Sequence, residues 1–404
     1  MYRKMLMVIL IITLLLFFVS NISAVNSIDE LAYVIAVGID KADNEKFKVS
    51  FQITLPNIKS DSSGSNKSTD IQTTINTVEC NTFYSGITLV NSYISRKLNL
   101  SHCKMIVFSE KVAAEGLSTQ ISSFMNNIDL RPTCNILISR CDAKYFLENS
   151  KTILDKMASK YTEIESTSEK NTGYTKLVTL NDFYNKLYDS FGEPYAILGD
   201  INGKEESNNE TFDDSEHAFE IPIDSKYNTE RIGIAVFKKD KLVGELNGIE
   251  TICHMIITNN LKSTTLAIPS PFDDSKFISI YIANTKSKNS VEIINNSPFI
   301  KCNITIPIRI LSVSASSNYL SNDNTKKIEE YANSYFNYHI KKYLNKISKE
   351  YQSDIASFGK YVISDFNNIK SWNEYNWRNK FKNSVFSVNV DSKVISSYLI
   401  TETK

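Results

Sequence analysis

The sequence lacks a charge imbalance, because its 404 residues include 45 Lys and Arg against 45 Asp and Glu. Binding to nucleic acid by counterion release needs a basic surplus, so the balance argues against a general nucleic-acid binder. Glycine (12) and proline (8) are scarce, which excludes collagen-like and repeat-turn proteins. The hydrophobic fraction of 42% excludes wholesale disorder, and the length predicts two or three domains.

Local motifs for catalysis, metal binding and nucleotide binding are also missing. The sequence has no H-E-x-x-H, C-x-x-C or G-x-S-x-G motif, and no Walker or G-x-G-x-x-G loop. The histidines stand apart along the chain, and we interpret each as a surface or core residue: His102, His217, His254 and His339. We therefore predict a non-enzymatic protein with no catalytic residue, no cofactor and no metal site.

The amino terminus carries an uncharged apolar run from Met5 to Val19, preceded by Arg3 and Lys4. A short basic segment before such a run is typical of a secretory signal. Residues 1–24 are thus predicted to be either a signal peptide or a retained membrane anchor, and both alternatives stay open. The remaining chain is expected on the outer side of the membrane, since no later run approaches the ~20 residues that span a bilayer.

The six cysteines form no metal or redox motif. Export permits disulfides, but several cysteines lie in apolar stretches, where a buried free thiol is the usual state. We favour free thiols, with disulfides as the alternative that stays open, at Cys80, Cys103, Cys134, Cys141, Cys253 and Cys302.

Strand and helix patterns alternate in the first part of the chain. Residues 31–39 form an apolar β-rich run, and residues 47–55 alternate with period two. From residue 83 to residue 98 apolar side chains repeat every three to four positions, which predicts an amphipathic helix. These patterns indicate an N-terminal α/β domain I over residues 25–148.

The remainder predicts two further domains. Residues 149–225 form a middle domain II that contains an acidic linker, residues 201–217, and residues 226–404 form the C-terminal domain III. In domain III we predict a hairpin, a helix, several strands and a long helix that starts at an Asn324 cap. The expected fold class is a multi-domain α+β protein with mixed or antiparallel sheets flanked by helices.

Four local features stand out without indicating a reaction: Val37–Asp40, Phe237–Glu245, Phe358–Gly359, and Trp372 with Trp377. We interpret their glycines as turn or packing positions and their tryptophans as core residues, with a membrane-facing or partner-facing aromatic patch as the alternative.

A further pattern is formed by the lysines between Lys326 and Lys349. It suggests a helix face near anionic lipid or an acidic partner, and the alternative is a simply solvated face.

Several stretches, in their order along the chain, resemble the Ger(x)C family, the C subunits of nutrient germinant receptors in spore-forming bacteria. The resemblance covers nearly the whole mature chain, and its pieces together are fairly specific. They are Glu30–Lys41, Cys103–Leu117, Ala235–Leu246 followed by Gly248–Thr251, and Ser353–Gly359 with the Trp372 and Trp377 segment.

The resemblance implies a three-domain α+β protein on the outer face of the inner spore membrane. It also implies assembly with an A-type subunit and a transporter-like B-type subunit in a receptor that triggers germination, with no catalytic residue to carry over. The germinant, and whether this subunit contacts it, stay open. The family's lipobox cysteine is missing, since no cysteine occurs between Val19 and Asp29.

Two other functions remain as alternatives to a receptor subunit. Export and several domains also fit an extracytoplasmic solute-binding protein that delivers a ligand to a membrane transporter. A secreted hydrolase is the third possibility, although no local motif supports it.

Overall fold

Two β-sheets, each covered by helices, form the fold. The structure, a computed structural model, describes residues 2–7, 10, 13, 30–54, 73–150, 169–201, 229–313 and 322–396. The acidic linker, beyond Ile201, and most of residues 1–24 lie outside these ranges. Within the described ranges, no helix has the length and hydropathy needed to cross a bilayer.

The first sheet has ten strands in the order β10-β9-β7-β6-β5-β1-β2-β3, with β4 beside β1 and β8 beside β7. Its centre is parallel: β1, β5, β6 and β7 run in one direction, and β2 returns antiparallel to β1. The strands are β1 (Leu31–Lys41), β2 (Phe47–Thr54), β3 (Thr73–Cys80), β4 (Lys97–Asn99), β5 (Met105–Ser109), β6 (Asn135–Ser139), β7 (Tyr195–Ile201), β8 (Thr229–Glu230), β9 (Ile234–Lys238) and β10 (Lys241–Leu246).

Short helices cover both faces of this sheet. Thr82 and Thr179 cap two of them, each with a reciprocal capping box. Residues 110–125 form two helices rather than one, because Gly116 adopts a φ of 125° that ends the first. The helices are α1 (Phe83–Asn91), α2 (Glu110–Glu115), α3 (Ser118–Met125), α4 (Ala143–Asn149) and α5 (Leu180–Tyr188).

The β9–β10 hairpin belongs to the first sheet, although the sequence analysis grouped it with domain III. Its strand β9 pairs antiparallel with β7, with Tyr195 opposite Val236. The side chains of Ala235 and Phe237 join the core of the first sheet, whereas Ile234 and Val236 join that of the second. The hairpin therefore links the two cores, and the division into domains I, II and III stays a prediction.

The second sheet is built around one long strand, β14. Strands β12 and β13 pair with it antiparallel, and β15 pairs with it in parallel. Strand β11 was not among the predicted strands, and its Pro269 is tolerated because the strand lies at the sheet edge. The strands are β11 (Ser263–Ser270), β12 (Asp273–Ala283), β13 (Lys286–Ile294), β14 (Ser297–Val313) and β15 (Val385–Ser396).

The predicted long helix, α7 (Asn322–Asn345), packs an apolar stripe on this sheet. Ile328, Ala332, Phe336 and Ile340 are fully buried. The helix begins at Asn322, two residues before the predicted cap, and continues into a π-helical turn at Lys346–Glu350. The helices of this half are α6 (Gly248–Ile257), α7 (Asn322–Asn345), α8 (Ile369–Tyr375) and α9 (Trp377–Lys380).

A ladder of polar side chains on α7 binds the backbone of β15. The Val394 N–H donates to Glu329 Oε1 at 2.9 Å, and the Ser392 N–H donates to Asn333 Oδ1 at 2.6 Å. One turn further on, Asn337 Nδ2 donates to the Val388 carbonyl at 3.1 Å. These side chains follow one another at four-residue spacing, so one helix face satisfies backbone groups of the last strand.

Candidate functional site: a buried polar junction

Three of the four sequence features converge at one place between the sheets. The β9–β10 turn, the Phe358–Gly359 segment and the Trp372–Trp377 segment meet the loop that precedes β7. We call this site the junction and define it by Glu193, Asp354, Trp377 and Arg378. The fourth feature, Gly38 with Asp40, lies elsewhere in the first sheet.

Asp354 is the central acceptor of the junction, and only 1% of its surface is exposed. Its carboxylate accepts the Phe358 N–H at 3.0 Å, the Gly359 N–H at 3.1 Å and Trp377 Nε1–H at 2.8 Å. Burial raises the pKa of Asp354 to about 6, although these N–H donors act to lower it. A carboxylate with three donors can thus be kept in the core and holds the chain after α7 in a tight turn.

Glu193 connects the junction to the first sheet. Its Oε2 accepts the Lys239 N–H at 2.6 Å, and its Oε1 lies 3.3 Å from Arg378 Nε. Its own N–H donates to the Asp354 carbonyl at 3.0 Å. Burial outweighs the charge of Arg378 and raises the pKa of Glu193 to about 7. The residue therefore joins the β9–β10 turn, α9 and the Asp354 turn.

Arg378 binds the carboxyl end of α5 and the loop that follows it. Its Nη2 donates to the Asp189 carbonyl at 2.8 Å, the Gly192 carbonyl at 3.2 Å and the Leu187 carbonyl at 3.3 Å. A guanidinium supplies several donors in one plane, so a single side chain can hold several carbonyls of a turn.

The two tryptophans are core residues, as the structural interpretation predicted. Trp372 is 2% exposed and Trp377 1%, and their rings stack with centroids 5.9 Å apart. Gly359 is needed for this packing, because a Cβ there would lie 2.8 Å from both the Phe191 carbonyl oxygen and Trp377 Nε1. Burial excludes the alternative of an exposed aromatic patch for these two residues.

The junction is built to hold segments together. Its carboxyl groups are closed off from solvent, and their oxygens contact protein donors, so they are not presented to a substrate. Glu193 and Arg378 were not among the residues singled out from the sequence. Glu193 carries no local signal in the sequence, while Arg378 could have been suspected only from its place beside Trp377.

Asp40 lies at a separate cleft, at the carboxyl ends of the central parallel strands. Its carboxylate accepts the Ala143 N–H at 2.7 Å and the Lys144 N–H at 2.9 Å, so it caps α4, and burial raises its pKa. Gly38 has ordinary φ and serves close packing, since a Cβ would lie 3.0 Å from Leu147 Cδ1. The cleft has a volume of about 530 Å³ and is lined by Asp40, Lys41, Lys48, Thr77, Lys111, Asp142, Lys144, Tyr145 and Glu148.

The histidines lie in unrelated environments. His102 packs against the Tyr33 ring, and His339 lies between tyrosine rings on α7. His254 is fully buried, with Nδ1 2.8 Å from the Tyr343 hydroxyl, and burial lowers its pKa to about 3. His217 lies outside the described residues. In the described part of the chain, no three His, Cys, Asp or Glu side chains cluster as metal ligands.

The lysines of α7 and its π-helical turn do not form a uniform open face. Lys346 Nζ donates to Glu250 Oε2 at 2.7 Å, and Lys349 Nζ donates to the Lys382 carbonyl at 2.7 Å. The alternative of a simply solvated face is therefore incomplete for these two lysines, because each also binds a neighbouring element. For the exposed Lys341 and Lys342, contact with lipid or an acidic partner stays a prediction.

Comparison with known proteins assigns this two-sheet architecture to a class, the proteins of spore germination. The family model described as "Spore germination protein N-terminal domain" matches residues 25–200, and "Spore germination B3/ GerAC like, C-terminal" matches residues 232–398. The chain belongs to the Ger(x)C family, the germinant receptor C subunits associated with spore germination.

Two similar proteins agree with this membership. The spore germination protein GerQC of Bacillus cereus is 21% identical over 304 residues, which are 75% of this chain and 77% of that protein. The crystal structure of the GerBC protein superimposes with a TM-score of 0.52 at 16% identity, covering 89% of this chain and 97% of that chain. The second comparison concerns the fold, which the two chains share.

Proposed function

We propose that the chain is a non-enzymatic, membrane-associated subunit of a spore germinant receptor complex that acts in nutrient-triggered germination. The observation that carries the proposal is the match of both family models, in order, over residues 25–200 and 232–398. The proposed partners are an A-type subunit and a transporter-like B-type subunit, and the proposed location is the outer face of the inner spore membrane. The junction would serve such a role by keeping the two sheets in one arrangement.

The point where the chain enters the fold supports membrane association. The apolar run ends at Val19 and strand β1 begins at Leu31, so eleven residues separate them, and a linker of this length spans at most ~40 Å. Lys97 lies beside this point, because β4 pairs with the first residues of β1. Lys104 and Arg131 precede the neighbouring strands β5 and β6.

We infer that this amino edge of the sheet faces the bilayer. Arg96, Lys97, Lys104 and Arg131 lie there, with Glu30 and Asp129 as acidic neighbours in the same loops. Among the described residues, no ion pair joins these four basic side chains to a carboxylate. Each basic residue near an anionic membrane surface contributes ~1 kcal/mol.

Deleting the gene and following nutrient-triggered germination tests the receptor role. We expect germination to be lost and to return with a wild-type copy. Unchanged germination, with paralogues also deleted, would overturn the role. Affinity purification of the tagged chain from spores tests the partners, which should be A-type and B-type subunits.

Vesicle binding tests the proposed orientation separately. The full chain with Lys97→Glu and Arg131→Glu should bind vesicles containing phosphatidylglycerol at least tenfold more weakly than wild type. The matched control carries Lys286→Glu and Lys288→Glu on β13. These substitutions make the same change in net charge, but on the second sheet instead of the amino edge, and the control should bind like wild type. Equal loss in both variants would reject the orientation.

One observation favours the alternative, a solute-binding protein. The 530 Å³ cleft at Asp40 opens at the carboxyl ends of parallel strands, where α/β sheets commonly bind ligands, and it combines lysine with carboxylate side chains. A thermal-shift screen with charged small molecules tests this, since a ligand at 100 times its Kd adds ~2.7 kcal/mol of stability. A flat screen would reject direct binding.

A further inference from the structure

Two of the six cysteines lie against each other, although the sequence separates them by 31 positions. The Sγ atoms of Cys103 and Cys134 are 3.6 Å apart, and the two residues are 2% and 1% exposed. A disulfide needs its sulfurs at about 2 Å, so bond formation requires the two atoms to approach each other by a further ~1.6 Å. The sequence, with no C-x-x-C spacing, gave no reason to pair them.

The backbone around the two cysteines holds them in this relation. The Lys104 N–H donates to the Ile35 carbonyl at 2.8 Å, and the Asn135 N–H donates to the Lys104 carbonyl at 2.8 Å. Each cysteine therefore immediately precedes a residue fixed in the ladder of adjacent parallel strands. The Leu180 N–H donates to the Cys134 carbonyl at 2.7 Å, which ties the start of α5 to the same point.

We propose that Cys103 and Cys134 are a redox pair that forms a disulfide when the chain folds in an oxidising compartment. The compartment rests on the proposed function, which puts the chain outside the cytoplasm, whereas the pairing rests on the geometry alone. The bond would close a loop that contains α2 and α3, and it would join the starts of β5 and β6. It would thus fix the amino edge at which the chain enters the fold.

The oxidant is a disulfide, carried by a protein or by a small thiol compound. One cysteine thiolate attacks the oxidant's disulfide and releases one of its sulfurs as a thiolate, which leaves a mixed disulfide. The second cysteine thiolate then attacks the protein sulfur of that mixed disulfide and releases the other oxidant sulfur. Two thiols lose two protons and two electrons, and the oxidant is reduced to two thiols. Because both cysteines are buried in the fold, the exchange takes place as β5 and β6 come together.

The test uses the full chain, unfolded in urea and refolded in detergent in glutathione buffers of increasing oxidised fraction. The protein is then quenched with acid, unfolded without reductant, alkylated, digested and analysed by mass spectrometry. We expect the peptides of Cys103 and Cys134 to appear joined, while Cys80, Cys253 and Cys302 are alkylated and serve as internal controls. Full alkylation of Cys103 and Cys134 at every buffer composition would overturn the proposal.

Thermal unfolding gives an independent readout. Oxidation should raise the Tm of the wild type by about 5–10 °C. Cys103→Ser and Cys134→Ser should each abolish this shift, whereas Cys80→Ser, another buried cysteine of the same half, should retain it. A shift that survives in Cys103→Ser would overturn the pairing. If the disulfide forms in the glutathione buffers but protein isolated from spores carries free thiols, the result would contradict the proposed export of the chain. The pairing of Cys103 with Cys134 would still be supported.

Discussion

At the residue scale, the buried carboxyl of Glu193 makes stability depend on pH. Its pKa is about 7 in the folded protein against 4.5 in a free side chain, because burial outweighs Arg378 while Asp354 and Asp189 add to the rise. Between these two values the folded chain binds more protons than the unfolded chain. The stabilisation that proton binding to Glu193 gives the folded chain is therefore full below pH 4.5 and is lost as the pH rises through 7.

We expect Glu193→Gln to remove this dependence while it preserves the side-chain shape. From pH 5 to pH 8 the wild type should lose about 2 kcal/mol more free energy of unfolding than the variant. Urea unfolding at several pH values measures the difference. Asp354 titrates in the same direction and is present in both proteins, so only the part of its titration that is coupled to Glu193 differs between them. Parallel profiles for the two proteins would contradict the pKa assignment.

The two tryptophans offer a matched pair of substitutions. Trp377→Phe removes the indole N–H that binds the buried Asp354 carboxylate, and we expect a loss of about 3 kcal/mol. Trp372→Phe removes the same atoms, but its N–H partner is the Ser190 hydroxyl, which can reorient, so we expect a smaller loss of about 1–2 kcal/mol. Chemical unfolding of both variants measures the ranking, and a larger loss for Trp372→Phe would refute it.

At the element scale, the polar ladder on α7 protects the backbone of β15. Asn333→Ala and Asn337→Ala each leave one backbone group of that strand without its partner. We expect about 1–2 kcal/mol of destabilisation for each, and aggregation when both are combined, because an unpaired strand edge can pair with another chain.

The control for the ladder is Asn345→Ala. Asn345 is the last residue of α7 and is exposed, so its replacement should change the free energy of unfolding by less than 0.5 kcal/mol. Urea unfolding gives the energies, and light scattering at increasing protein concentration gives the aggregation. If all three alanine variants behave alike, the ladder does not stabilise β15.

Periodicity predicted the elements whose pattern is local. Strand β1, helix α6 and the apolar stripe of α7 follow from runs or repeats that a short window of sequence contains. Strand β11 was not predicted, because its threonines and Pro269 are also typical of a loop. The polar ladder was not predicted, because Asn333 and Asn337 look like ordinary surface residues until their partner strand, some 55 residues later, is known. Tertiary pairing cannot be read from local composition.

At the scale of the whole molecule, the β9–β10 hairpin decides where an N-terminal fragment can end. A fragment of residues 25–246 keeps the strand that pairs with β7 and keeps Phe237 against Phe183. A fragment of residues 25–201 lacks both and exposes the edge of β7. We expect the longer fragment to be more soluble and to melt at a temperature at least 5 °C higher.

Circular dichroism and gel filtration of the two fragments check this expectation. Equal melting temperatures would mean that the hairpin adds nothing to the first sheet. The sequence could not predict this result, because the hairpin signal lies directly before the helix and strands of the second half. Which strand it pairs with depends on β7, and no local pattern specifies that partner.

The position of β15 also sets the order in which a newly made chain can complete its fold. Val385 pairs with Phe299 and Ser396 with Arg309, so the second sheet waits for the last part of the chain. If the amino terminus crosses a membrane first, the strands of the first sheet have all emerged while β15 is still unavailable for pairing. Trp377 and Arg378 arrive only shortly before it. In that case the junction would close on a first sheet already across the membrane, and its closure would mark the end of translocation.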